Sequence, residues 1–414
     1  MGRIEPLAND FILVYEADSK GKQEYCYTPG ICVLPGGGIL ATLDHVYPGM
    51  PPEERGMIWR SDDGEHFRFI HHFPFCHARP FVAGNSVYVI GQAGQICIIR
   101  SDDGGETWGE TARLTEAEAE GGWHASATSV WYEGDRVYLA MEHRVSPGCV
   151  SWPVAAMAPV LMRARVTDDL TKRESWTFAS ELFFRDAVDQ AALDWFGVPF
   201  YEVPRGGVID TAPPQKRTCA PIGWLETNVV RILDEKHYWY DPAGHTYHLL
   251  ARAHTGGTGY AALCKVVEEP GGAMTTCFET VPSGRRQVFL PMPGGQMRFH
   301  ILYDDRTRLY WLLSTQATDS MTRSELLPAE RYNLPNNERR RLTLHFSKNC
   351  VDWCFAGLVS VGEEEKASRH YASMAVAGDD LLILSRSGDR RAASAHNGNL
   401  ITLHRVKNFR SLVY

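Results

Sequence analysis

The sequence predicts an all-β chain folded as a six-bladed β-propeller of four-stranded antiparallel blades. Two patterns and a compositional bias predict it. A strand–turn–strand unit recurs six times along the 414 residues. Several units are followed by a third strand that ends in a polar turn of Ser, Asp and Gly. The chain is also rich in aromatics, with 11 Trp, 17 Tyr and 17 Phe, which suit strands. Length alone would suggest two or three domains, but closed all-β architectures run long as one. One propeller spanning residues 1–414 is therefore expected.

The first two clear units are Cys76–Val82 with Asn85–Gly91 and His124–Val130 with Asp135–Met141. Each reads as a strand, a tight polar turn and a second strand rich in Val, Tyr and Leu. The unit returns at Thr28 to Leu43, Glu226 to Arg252, Met297 to Ser314 and Tyr371 to Arg386. The clearest third-strand turn is Ser101-Asp102-Asp103-Gly104-Gly105-Glu106-Thr107-Trp108, a full Asp-box. Its Asp can bond the N–H groups of its own turn, and its glycines permit positive φ. A shortened form stands at Ser61–Phe67 and a worn one at Ser347–Trp353. Fainter traces lie at Thr167–Leu170 and Glu268–Gly272. These boxes read as structural turns. Radial repetition of such units leaves only short strand edges. The last unit, Leu400 to Val413, is one strand short, and Phe11–Tyr15 is expected to supply that strand and close the ring. Segments 145–160, 178–222 and 317–341 read as long loops, which on a rigid scaffold line or cover a site.

Composition narrows the function. Net charge is −8 with no run of Lys and Arg, which argues against nucleic acid as a partner. No stretch reaches the length of an apolar membrane span. The first residues lack the apolar core of a signal peptide, so a cytoplasmic protein is expected, or a secreted or periplasmic one if a signal peptide has been removed. The ten cysteines form no CxxC pair and read as reduced thiols. No metal site and no cofactor is expected.

In a propeller the inner strand of each blade borders the axis. Strand starts and the ends of the following strands therefore select candidate site residues by position. The starts supply Tyr27, His77, Arg79, His124, Ser126, Glu226, Asn228, Arg298, His300, Tyr371 and Ser373. The ends supply Asp44, His45, Gln92, Glu142, Arg144, Arg252, His254, Ser314, Gln316 and Arg386. A single Arg or His at a strand end is ordinarily a solvated rim residue. A converging set is more readily a polar site.

From these residues the chain resembles the sialidase (neuraminidase) superfamily of Asp-box, or BNR-repeat, propellers, as a divergent member. That family pairs a tyrosine nucleophile with a glutamate. Its glutamate begins the fourth blade, where this chain has Gly223-Trp224-Leu225-Glu226-Thr227-Asn228. Its tyrosine begins the last blade, where this chain has Tyr371-Ala372-Ser373-Met374. A carboxylate beside a phenol can take its proton and activate it. The family clamps a substrate carboxylate with three arginines. The resemblance implies Arg252 and Arg298 for two of them. At the third, the family's R-I-P reads Tyr27-Thr28-Pro29, so Arg79, Arg144 or Arg386 must compensate. The family's acid, a first-blade aspartate, implies Asp44 with His45 adjoining, with Glu53 and Glu54 as loop alternatives. His77, His124, Glu142 and Tyr27 complete the expected substrate-binding set.

The expected activity is an exo-acting glycoside hydrolase releasing a terminal, acidic sugar from a glycan with retention. Two other readings stay open. One is a polysaccharide lyase or unusual glycosidase on uronate-containing glycans that uses His45, His77, His124 or His300. The other is a propeller that binds glycans without cleaving them.

Overall fold

The computed structural model describes residues 4–17, 24–145, 154–188, 223–253, 258–320, 322, 326 and 338–414. His254 and most of the predicted loops 178–222 and 317–341 lie outside the described residues. The described residues form six antiparallel sheets arranged as propeller blades, and a separate two-stranded sheet of Glu279–Thr280 with Arg286–Gln287. Blade 1 runs Tyr25–Val33, Ile39–Val46, Gly56–Ser61 and Arg68–Phe73 from axis to rim. Blade 2 begins at Cys76–Ala83, blade 4 at Leu225–Val230, blade 5 at His300–Asp304 and blade 6 at Arg369–Ala377. In blade 3 the inner edge is split into Gly122–His124 and Trp131–Glu133, both paired to Arg136–Arg144. The outermost strand of blade 6 is Ile12–Glu16, which pairs antiparallel with Leu400–Val406. The early strand thus closes the ring as its sequence predicts.

The core lies between blades rather than within them. Val14, Ile31 and Leu43 from blades 6 and 1 pack with Leu382, Leu384 and Leu403 of blade 6. Leu40, Ile58 and Phe73 of blade 1 meet Val87, Val89 and Ile99 of blade 2. Alternate residues of each strand face opposite neighbours, so both faces of a blade are apolar. Fully burying each such side chain contributes about 1.5–3 kcal/mol.

The outer turns follow their sequence chemistry. In Ser101–Trp108, the Asp103 carboxylate accepts the N–H groups of Glu106 at 3.0 Å and Thr107 at 2.9 Å. It also accepts the Thr107 hydroxyl at 2.5 Å. Gly105 has φ +89°, and a Cβ there would meet Leu40 Cδ1 at 2.9 Å. Asp63 repeats the arrangement with the N–H groups of Glu65 and His66, and Asn349 does so with Val351 and Asp352.

Polar side chains plug the axis itself. Arg298 donates to the main-chain oxygens of Tyr371 (2.6 Å) and Ala127, and to Ser373 Oγ. Arg79 donates to Ser126 O and Thr128 Oγ1, both at 2.6 Å, and to Ala140 O. Asn228 spans blades 4 and 5 through Phe299 O and Ile301 N–H. These bonds tie the inner strands to one another where no apolar core is present.

Candidate active site

Four inner strands begin with the same irregularity. The pairing register skips between Tyr27 and Gly30, Cys76 and Arg79, Leu225 and Asn228, and His370 and Ser373. The first residue in each gap is left-handed: Thr28 (φ 26°), His77 (φ 56°), Glu226 (φ 58°) and Tyr371 (φ 47°). This region is costly for residues other than glycine and is maintained where the surrounding structure over-determines it. All four side chains line one cavity of about 300 Å³ on the propeller axis. The bulge re-aims the strand's first side chain into the cavity, while the residue two positions on points down the axis. Gly30, Arg79 and Ser373, each two residues past such a position, line with His300 a separate cavity of about 720 Å³ at the other mouth.

Tyr371 sits at the centre of the cavity's chemistry. Arg252 Nη1 donates to its phenol oxygen at 2.7 Å and to Glu226 Oε2 at 3.4 Å. Three guanidinium carbons surround the Tyr371 ring: Arg339 at 5.3 Å, Arg386 at 5.4 Å and Arg252 at 5.9 Å. Arg252 is further fixed by Gln296 O at 2.9 Å through Nε. Its Nη2 is buried with no hydrogen-bond partner among the described residues. Burial pulls Arg252 toward neutrality, but the phenol oxygen and Glu226 outweigh it and hold it above its usual range. Burial pushes Arg339 down to about 10. Burial also lowers His396 well below its ordinary value, and the Arg386 and Arg339 charges add to that effect. The cavity is thus cationic, with His396 biased toward its neutral form beside the arginines. Such a field favours an anionic ligand, and guanidinium forks match a carboxylate bidentately.

The structure sorts the sequence-predicted residues. Glu226, Tyr371, Arg252, Arg386, Tyr27, His77 and His124 all line the cavity. Arg386 lies 3.9 Å over the Tyr27 ring, so the tyrosine at the altered R-I-P position supports an arginine brought from blade 6. Arg298 and Arg79 are corrected to axial struts. Neither lines this cavity, and both guanidinium groups bond main-chain oxygens. Arg298 has no left-handed φ to turn it outward. Glu142 lies behind the cavity wall, with Oε1 accepting Thr227 N–H at 2.8 Å and Oε2 3.0 Å from His124 Nδ1. Arg144 sits at the strand end and donates to Gly121 O at 3.3 Å.

Asp44 and His45 separate because adjacent strand residues face opposite sides. Asp44, 1% exposed, accepts His77 N–H with both oxygens at 2.9 and 2.8 Å and does not line the cavity. Burial raises its carboxyl to about 7, against the lowering effect of the His77 N–H. His45 turns away to Glu24 at 2.7 Å and Glu54 O at 2.8 Å. Neither residue reaches the cavity as an acid. Asp44, Cys76 and His77 bring potential ligand atoms within 4.8 Å of one another. The Cys76 thiol is turned to Gln92 O at 3.4 Å, however, and burial holds it up at about 12.

Arg339 and His396 are the residues that sequence reasoning missed. Arg339 precedes the third strand of blade 5, inside a segment flagged only as loop, and its Nη1 lies 3.0 Å from His370 Nδ1. Its one sequence signal is the run Glu338-Arg339-Arg340-Arg341 ahead of an apolar strand. His396 sits in a loop of blade 6 and carries no motif.

No family model matches this chain, and no curated protein matches it in sequence. Solved structures do match its fold. A Penicillium chrysogenum α-L-arabinanase complexed with arabinobiose superposes with TM-score 0.53 and 12% identity, covering 99% of this chain and 100% of that one. A Hadza microbial sialidase gives TM-score 0.57 and 13% identity over 97% of this chain and 69% of that one. The Trypanosoma rangeli sialidase with 2,3-difluorosialic acid, a covalent intermediate, gives 0.54 and 12% over 99% of this chain and 60% of its own. At such identities the likeness shows the fold alone: a six-bladed propeller shared with the arabinanase and the sialidases.

Proposed function

We propose that this protein is a retaining, exo-acting glycoside hydrolase of sialidase type that releases a terminal acidic sugar from glycans. The observation that carries the reading is Arg252 Nη1 bridging the Tyr371 oxygen and Glu226 inside an arginine-rich cavity. Glu226 takes the phenolic proton, and Tyr371 attacks the anomeric carbon. A tyrosine nucleophile is a known exception to the two-carboxylate scheme of glycosidases. A neutral phenol suits an anionic sugar, because an attacking carboxylate would be repelled by it. Arg252 and Arg386, which both line the cavity, hold the sugar's carboxylate, and Arg339 adds positive charge from behind the Tyr371 ring. The cavity, about 300 Å³, is at the small end of ligand pockets and suits one terminal residue rather than a chain. The arabinanase and the sialidases share the fold, and it is the cationic site that favours an acidic substrate over a neutral pentose.

The test is a panel of 4-methylumbelliferyl glycosides, α-sialoside and β-glucuronide among them, run with wild type, Glu226→Gln and Tyr371→Phe. Release from an acidic glycoside that both substitutions abolish is the expected result. Silence across the panel, with an ultraviolet-absorbing product from a uronate glycan, would assign elimination chemistry instead.

A further inference from the structure

A tyrosine glycosidase needs a proton donor for the departing oxygen, and the aspartate that the family resemblance nominates is not placed to be one. Asp44 lies under the Thr28 and His77 bulges with both oxygens engaged. Besides Glu226 and Tyr371, the cavity offers three imidazoles and the Tyr27 phenol. The imidazoles differ in what holds them. His396 Nδ1 faces Asn397 Oδ1 at 2.8 Å and the Arg386 guanidinium at 3.4 Å. His77 Nδ1 is buried without a hydrogen-bond partner among the described residues, and its Nε2 is 4.0 Å from Asp44. Burial and neighbouring positive groups hold both rings well below the ordinary histidine range. Neither ring has a carboxylate within hydrogen-bonding distance to support its charged form.

His124 alone among the three has a carboxylate on a ring nitrogen at hydrogen-bonding distance. Its Nδ1 is 3.0 Å from Glu142 Oε2, and Glu142 is 1% exposed. A buried carboxylate on Nδ1 fixes the tautomer, orients the ring and supports the imidazolium. Glu142 also accepts Thr227 N–H, next to Glu226, so one carboxylate orients His124 and braces the bulge that presents the base. The groups facing this pair are His77, edge-on at 5.2 Å from the His124 ring, and Arg79, whose charge acts on Glu142.

We propose that His124, oriented by Glu142, is the acid–base residue of this site. The inference rests on the glycosidase reading above. In the first step the Tyr371 oxygen bonds to the anomeric carbon and its proton passes to Glu226. The glycosidic C–O bond breaks, and the leaving oxygen keeps the electron pair and takes the Nε2 proton of His124. In the second step water attacks the anomeric carbon and gives a proton to His124 Nε2. The bond to Tyr371 breaks, and the phenol oxygen recovers its proton from Glu226. Glu142 is a positioning residue that never touches the sugar.

Leaving-group dependence tests this. An aryl glycoside needs little acid assistance, and an alkyl linkage needs much. His124→Asn is expected to lose roughly 10²–10⁴-fold in kcat/KM on sialyllactose. On the 4-methylumbelliferyl sialoside its glycosylation step should stay within about tenfold of wild type, since general acid assistance contributes little there. Its covalent intermediate should accumulate and be turned over faster by added azide, with glycosyl azide as product. Glu142→Gln should lose kcat on sialyllactose with little change in KM and move the basic limb of the pH–rate profile downward. An unchanged aryl-to-alkyl rate ratio in His124→Asn, with no rescue by azide, would overturn the proposal while an inactive Tyr371→Phe leaves the glycosidase reading standing. A wild type that cleaves no glycoside would remove both.

Discussion

One nitrogen of Arg252 serves two partners, reaching the Tyr371 oxygen at 2.7 Å and Glu226 at 3.4 Å. Under the proposed function, the residue that would hold the substrate anion also contacts the nucleophile. Arg252→Lys keeps the charge and loses the fork. It should lower kcat as well as raise KM, with kcat/KM down by roughly 10²–10³. A change confined to KM, measured by steady-state kinetics, would separate Arg252 from the nucleophile.

Arg298 and Arg386 are both buried, but they have different work. Arg298 caps main-chain oxygens of blades 3 and 6 beneath the cavity, and Arg386 stacks on Tyr27 within it. Arg298→Ala leaves the Tyr371 carbonyl without its guanidinium donor and Ala127 O with Ser373 Oγ alone, and should destabilise the fold by about 1–3 kcal/mol. Arg386→Ala frees a single main-chain oxygen, His396 O, and should destabilise the fold less while raising KM for acidic glycosides. Chemical denaturation of the two variants reads the difference.

The left-handed bulges predict an inverted substitution pattern. His77 holds φ 56°. His77→Gly relieves the strain and should unfold no more readily than wild type. His77→Val places a β-branched side chain there and should cost about 1–3 kcal/mol. Equal melting temperatures for the two variants would contradict the strained-bulge account.

Asp44 has a carboxyl raised to about 7 by burial. The folded state therefore holds a proton that the unfolded chain has released. By linkage, the contribution of Asp44 to stability is full below about pH 4 and is lost as pH rises through about 7. Asp44→Asn should flatten this part of the stability–pH curve in urea titrations between pH 4 and 8.

His143 shifts in the same direction for the opposite reason. Its Nδ1 meets Glu181 at 2.6 Å and its Nε2 meets Glu118 at 2.8 Å, and these raise it to about 9. The stability it contributes is complete below its unfolded value of about 6.5 and is lost as pH rises through about 9. His143→Gln should remove that alkaline decline, and thermal melts from pH 6 to 10 check it.

The blades were legible because their turns carry local chemistry. Ser101–Trp108 states its own hydrogen bonds, and Phe11–Tyr15 reads as a strand with no partner nearby in sequence. Glu226 and Tyr371 could be placed at the cavity because a strand start on the axis has few fates. The arginines were harder. Position alone could not separate Arg298, which runs down the axis, from Arg252, which enters the cavity, because the difference is a side-chain direction set by the inner-strand backbone. Arg339 comes from the approach to a third strand, which no rule about strand starts selects. Asp44 and His45 were grouped as sequence neighbours, and strand alternation placed them on opposite faces.

The most direct test of the central claim is intact-protein and peptide mass spectrometry after incubation with 2,3-difluorosialic acid. The account predicts one covalent glycosyl adduct per chain, located on Tyr371, and none in Tyr371→Phe. An adduct on Glu226 or on a histidine, or hydrolysis of an acidic glycoside that Tyr371→Phe leaves unimpaired, would contradict it.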